Sequence, residues 1–285
     1  MKNFKRTFCI FLSVFAVVFN LTAQTPLTEQ EIGLINKVMD LRARTRLCKN
    51  QYEAIKYVDE ITEMLKDEPL LADKNKEISV IIDNFLAQER YIYMYETTMS
   101  MNELKEFIVP QYDRTESWRA TLKKQELSPW LYLSSGDVVN SALQFLPQTY
   151  AIKYGLKEKA EYDSVVEKYP KLAFGLINSA LWYYFAPAIG GGSNTTALDY
   201  FKRAVECAEN DYEKFYSRIF YSQMLYESGQ KEECTALLKE CDAILEGNIY
   251  TESVRFLNDN GFSLLFYTNN RDKVEKKIGK LKNSR

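Results

Sequence analysis

The sequence predicts an all-α fold built as stacked antiparallel helical hairpins, and three observations lead there. Apolar residues recur at helical spacing along most of the chain, with no sustained alternation of the kind a half-buried strand shows. Glycine and proline number only 11 and 7 in 285 residues, which suits long helices joined by short connections. The stretch Asn178–Ala208 shows two helical patterns on either side of a break running from Ala186 to Asn194, and the second pattern sets Ala197, Phe201 and Ala204 on one face. Small, large and small residues in that order let a neighbouring helix lie close while the ring fills the gap. Hydrophobic residues make up 46% of the chain and aromatics 14%, ample for a sizeable core.

The N-terminus is a separate object. Lys2, Lys5 and Arg6 precede an apolar run from Phe8 to Leu21, which exits through Thr22-Ala23-Gln24. This is the pattern of a secretory signal peptide over residues 1–23, with cleavage expected before Gln24; an uncleaved anchor is the alternative. Residues 24–285 then form a single helical repeat domain in the periplasm or outside the cell. Loss of three positive charges takes the formal net charge from −2 to −5, so no basic surplus remains to recruit nucleic acid.

Thr28–Arg46 opens with Thr28 as N-cap and Glu31 completing a capping box. Asn50 caps Asn50–Lys66, and the two helices are expected to form the first hairpin. Asp73–Thr98 carries a broad apolar face including Ile78, Ile81, Phe85 and Tyr91. In Asn102–Gln125 the pattern is expected to break at Pro110 and resume at Asp113. Ser128-Pro129-Trp130 starts a helix with proline at its first position, running to Leu146, and Gly136 inside it implies close packing. Gln148–Tyr169 follows. Lys171–Phe185 pairs with Thr195–Ala208, and Asp211–Ser228 pairs with Lys231–Leu245. Tyr250–Thr268, with a turn signal at Asp259-Asn260-Gly261, and Arg271–Lys280 complete the chain.

The trio Ala197, Phe201, Ala204 recurs as Cys234, Leu238, Cys241 at an offset of 37 residues, and Ala54, Val58, Ile61 repeat its spacing. Asn178–Leu245 therefore resembles two tetratricopeptide repeats, with a degenerate third over 29–66, implying a tetratricopeptide-like α-solenoid. The aromatic helix, the Ala-Pro-x-Ile-Gly-Gly loop and the helix after it, within Ser128–Leu245, resemble the T component of tripartite (TRAP-type) transporters. That resemblance implies repeats around a pore or cleft, and an envelope partner such as a solute-binding protein. The chain lacks the lipoprotein cysteine of the lipid-anchored members.

Histidine chemistry is excluded, while carboxylate, lysine and tyrosine chemistry is not. There is no histidine, so no Ser-His-Asp triad, Cys-His pair or histidine zinc site can be built. No catalytic residues, cofactor or metal are expected, and the chain reads as a binding accessory rather than an enzyme. A structural envelope scaffold and a carboxylate- or tyrosine-dependent enzyme are the alternatives. Cys234 and Cys241 are two turns apart, about 10.5 Å at the helical rise, too far to bond to each other. Either can meet Cys207; Cys207 with Cys241 is the candidate disulfide, and core packing of these thiols is the alternative. Gly190–Thr195 lacks the Lys-Ser/Thr of a phosphate loop and reads as a turn, with backbone N–H groups at the N-terminus of the following helix as an anion site in the alternative. Trp182, Tyr183, Tyr184 and Phe185 cover every side of one helix, so some must meet a second layer or a groove. Together with Tyr91 and Tyr95 they form the candidate binding groove.

Overall fold

The computed structural model describes residues 27–97, 100–121 and 127–283; the expected signal segment lies outside them. Among the described residues the protein is all-α. The helices are α1 (Glu29–Arg44), α2 (Gln51–Met64), α3 (Glu77–Thr97), α4 (Met101–Thr121), α5 (Pro129–Ala142), α6 (Gln148–Lys168) and α7 (Ala173–Phe185). There follow α8 (Asn194–Cys207), α9 (Asp211–Glu227), α10 (Lys231–Ile244), α11 (Tyr250–Asp259), α12 (Leu264–Asn269) and α13 (Arg271–Asn283). No described helix is long and apolar enough to cross a membrane.

Side chains start several of these helices as expected. Thr28 accepts from Glu31 N at 3.2 Å while Glu31 reaches back to Thr28 N at 2.8 Å, closing the capping box. Asn50, Ser128 and Asn210 cap α2, α5 and α9. Glu213, in the first turn of α9, also accepts from the backbone N–H of Phe174 at 3.1 Å, tying the start of α7 to that of α9. Pro110 does not interrupt its helix: α4 runs continuously through it. The ring is exposed and so is Glu106 one turn earlier, so the carbonyl that loses its partner can turn to water.

Each trio residue is a core residue. Ala197, Phe201 and Ala204 are fully buried, as are Cys241 and Ile61, with Cys234, Leu238, Ala54 and Val58 nearly so. α7 packs most extensively on α8, and α9 on α10, as the spacing predicts. The expected first hairpin does not form: α1 packs on α3 and α9, and α2 packs on α3. The buried stripe of α1, including Ile35, Val38 and Met39, is taken by partners distant in sequence. Asp211 N donates to Asp40 at 2.7 Å and Asn210 Nδ2 to Asn36 at 3.1 Å, so the chain's first described helix is fastened to the start of α9.

The four described cysteines are free, and the Cys207–Cys241 bridge is not formed. Both lie in one apolar cluster, with Cys241 Sγ 3.7 Å from the Phe215 carbonyl, and burial pushes the Cys241 thiol up to about 12. At the centre, Phe174 stacks on Trp130 at 5.9 Å and meets Phe85 and Tyr212 edge-on at 5.6 and 5.9 Å. This aromatic group is the floor on which the site stands.

Candidate functional site

Above that floor the helices line a half-open cavity of about 1430 Å³, with walls from α3, α5, α6, α7, α9, α11, α12 and the start of α13 and from the short turn after α1. Its rim includes Tyr95, Glu96 and Arg271, and the Arg271 fork grips Glu96 at 2.9 and 3.1 Å, joining α13 to α3 there.

Beneath the cavity a buried ion pair holds α1 to α3. Arg42 Nε lies 3.1 Å from Glu89 Oε2, with both side chains 1% exposed. The Arg42 guanidinium is sandwiched between the rings of Phe85 and Tyr212, 4.7 and 4.6 Å from their centroids. Thr45 Oγ1 sits 2.9 Å from the other Glu89 oxygen and accepts from Tyr93 OH at 2.8 Å. Glu89 is thus paired with Arg42, while the single Thr45 hydroxyl proton is shared between Glu89 and the Arg42 carbonyl, 2.6 Å away.

One turn on from Arg42, Arg46 faces the cavity itself. Its Nε donates to Tyr216 OH at 2.5 Å, and the rings of Tyr250, Tyr93 and Tyr216 surround it at 4.3, 5.4 and 5.5 Å. No carboxylate pairs with Arg46, and its terminal nitrogens have no acceptor among the described residues. Burial works against the guanidinium charge, but the tyrosine oxygens and Glu89 more than offset it, so the group stays charged.

The opposite side carries acids. Asp137 is the one charged residue on α5 and lines the cavity without a hydrogen-bond donor or ion pair among the described residues. It is half-buried by surface because it borders open space, yet protein encloses it, and burial pushes its carboxyl up to about 7, against the pull of Arg42. Glu158 of α6 also rises to about 7, through burial with the Asp137 charge adding to it. Tyr162 OH and Asn140 Nδ2 each donate to Glu158 Oε1 at 2.8 Å and hold the rise back. Gly136 makes this possible: a Cβ there would lie 2.2 Å from Tyr162 OH, so only glycine lets α6 come this near α5.

The six groove candidates divide. Trp182, Phe185 and Tyr95 line the cavity. Tyr183 instead donates to Asp163 at 2.8 Å and Tyr184 to Glu227 at 2.8 Å, while Tyr91 is buried in the α3–α4–α5 cluster and accepts from Gln144. The aromatic helix thus does serve several sides, and only part of it reaches the cavity. In the glycine loop the N–H groups of Gly190, Gly191, Gly192 and Ser193 go to carbonyls of Pro187, Ala188 and Tyr183, so none of these four is open to an anion. Gly192 is packed so closely that a Cβ would lie 1.9 Å from the Ala186 carbonyl oxygen.

Sequence reasoning did not single out Arg46, Asp137, Glu158, Tyr212, Tyr216 or Tyr250, which dominate the site. Two signals pointed to four of them, Arg46, Tyr212, Tyr216 and Asp137. Arg42 with Arg46, and Tyr212 with Tyr216 and Phe220, are spaced four apart and so share helix faces. Asp137 is a lone charge in an otherwise uncharged helix. Among the described residues no group of three or more Cys, Asp or Glu is arranged to hold a metal ion. The arrangement can bind and can exchange protons near neutral pH. Comparison of the chain with models of known protein families finds no match, and comparison with curated proteins finds none either.

Proposed function

We propose that the protein is a helical-repeat binding module of the cell envelope, and that the cavity is where it holds a small organic ligand. One observation carries this: a large cavity with aromatic walls, into which a few charged side chains project without partners. Ligand sites combine an apolar lining with a small number of placed polar groups in this way, and about 1430 Å³ exceeds the usual range of roughly 300–1,000 Å³ for small-molecule pockets. The signal-like N-terminus supports an envelope location. The repeated small–large–small trio supports a tetratricopeptide-like stack. The resemblance to the TRAP-type T component supports a solute-binding protein as partner, so that the module would assist solute uptake.

The probe for the cavity is 8-anilino-1-naphthalenesulfonate, an apolar anion. A single site is expected, weakened about tenfold or more by Trp182→Ala, as loss of a large aromatic contact implies, and unchanged by Tyr52→Ser on the exposed face of α2. Several equal sites, or binding indifferent to Trp182, would sink the assignment of the cavity. For the transport form, crosslinking in the envelope should recover a solute-binding protein, and a chain that crosslinks to none speaks against it. A carboxylate-dependent enzyme is the second reading, favoured by Asp137 and Glu158 in one cavity. It requires turnover, so a ligand recovered unchanged after long incubation with equimolar protein removes it.

A further inference from the structure

One cavity holds a cation and an anion that meet neither each other nor any free counter-charge. On the Arg46 side, the terminal guanidinium nitrogens have no protein acceptor among the described residues, and Glu89, whose charge reaches it, is already paired with Arg42. The hydroxyls of Tyr212 and Tyr250, which also line the cavity, have no hydrogen-bond partner there either. On the other side Asp137 has no donor, and Glu158 has only the neutral Asn140 and Tyr162. The nearby cations are spent: Arg42 on Glu89, Arg119 on Glu116 and Glu161, and Lys157 on the same two carboxylates. The Arg42–Glu89 pair, neutral as a unit, lies among them: Arg46 feels Glu89, and Asp137 feels both Arg42 and Glu89. Enclosing a charge without a partner is costly, and folds keep such groups where a ligand completes them.

We propose that the cavity takes an amphoteric ligand with an apolar body, its carboxylate received by Arg46 and its ammonium by Asp137 and Glu158, which is the chemistry of a short peptide with free termini. This rests on the cavity being the binding site. The planar guanidinium fork matches a carboxylate in two parallel hydrogen bonds, and the rings of Trp182 and Phe185 in the cavity lining offer apolar surface to the body of the ligand. The charged side chains facing Asp137 are Arg42 from α1, Glu89 from α3 and Glu158 from α6, with the tyrosines Tyr162 and Tyr212 from α6 and α9. Burial keeps Asp137 and Glu158 partly protonated near neutral pH, so an arriving ammonium favours their ionised forms and displaces a proton to solvent.

The test uses the full chain and isothermal titration with peptides of two to five residues carrying phenylalanine at both ends. Each is used free, N-acetylated, C-amidated and blocked at both ends. The free peptide of best length should bind tightest, and each block should weaken it about tenfold or more, as loss of a charge-assisted hydrogen bond predicts. The acetylation penalty should shrink in Asp137→Asn, where Glu158 alone remains to receive the ammonium, and the amidation penalty should vanish in Arg46→Gln, with circular dichroism confirming that each variant is folded. Near neutral pH, titrations in buffers of different ionisation enthalpy should show proton release for peptides with a free amine and none for acetylated ones. The blocked peptides test the idea on the unaltered chain, so a misfolded variant cannot rescue it. If doubly blocked peptides bind as well as free ones, or no peptide binds while anilinonaphthalenesulfonate still binds at Trp182, the amphoteric ligand is overturned and the cavity stands. If neither probe binds, both fall.

Discussion

Replacing Asp137 by asparagine should stabilise the protein above neutral pH, a sign opposite to that of most carboxylate deletions. The carboxamide keeps the shape and removes the charge. In the unfolded chain Asp137 titrates near ~3.9, while in the fold burial lifts it to about 7. The folded form therefore binds more protons than the unfolded form across that window. Stability contributed by this residue falls as pH rises from ~4 to ~7 and is level above it. A gap of about three units at ~1.4 kcal/mol each sets a ceiling of ~4 kcal/mol. The pull of Arg42 is already contained in that value, but Asp137 borders an open cavity, so water recovers part of the cost, and ~1–2 kcal/mol is the expected gain. Urea unfolding followed by circular dichroism, at a series of pH values from ~4 to ~8.5, measures it. Asp137→Asn should match the parent at the acid end and exceed it at the alkaline end. A variant less stable than the parent above pH ~7.5, or a difference that does not change with pH, would refute the reasoning, because Asp137 would then be ionised and well satisfied in the fold.

The other expectations concern the frame around the cavity. Glu89→Gln leaves the Arg42 charge buried beside a neutral group and should cost ~3–5 kcal/mol in denaturant unfolding, whereas Arg42→Met with Glu89→Leu should recover much of that loss. Gly136→Ala forces the Tyr162 hydroxyl off its contact with Glu158 and should destabilise by ~1–3 kcal/mol; adding Tyr162→Phe, which removes the clashing oxygen, should return part of it. Pro110→Ala restores a donor in an exposed helix interior and should raise stability by ~1–2 kcal/mol, since proline's cost there is partly offset by the entropy it removes from the unfolded chain. A thermal melt that moves downward would refute this and show that proline at 110 favours the fold.

What could be read from the sequence was local. Helix starts were legible at Thr28, Asn50 and Ser128 because a cap is a bond between residues three apart. The trios from Ala54, Ala197 and Cys234 were legible because one helix face has a fixed period, and all nine residues are buried. Gly136 was legible as a close approach for the same reason: a glycine inside a helix needs a neighbour to justify it. The continuity of α4 through Pro110 was not, because it depends on the freed carbonyl reaching solvent, which no local pattern states.

The site itself was decided by tertiary structure. Arg46 meets Tyr216 across 170 positions, and Arg42 meets Glu89 across 47. Asp137, Glu158 and Tyr250 come from three further helices. The periodic stripe of α1 showed that it would be buried but not that α9, rather than its neighbour α2, would bury it. Choice of partner depends on how whole faces fit, and that same choice brings one unpaired cation and one unpaired acid to a single cavity. The chain's periods determined which residues face inward; only the packing of α1 on α3 and α9 decided which charges face each other across open space.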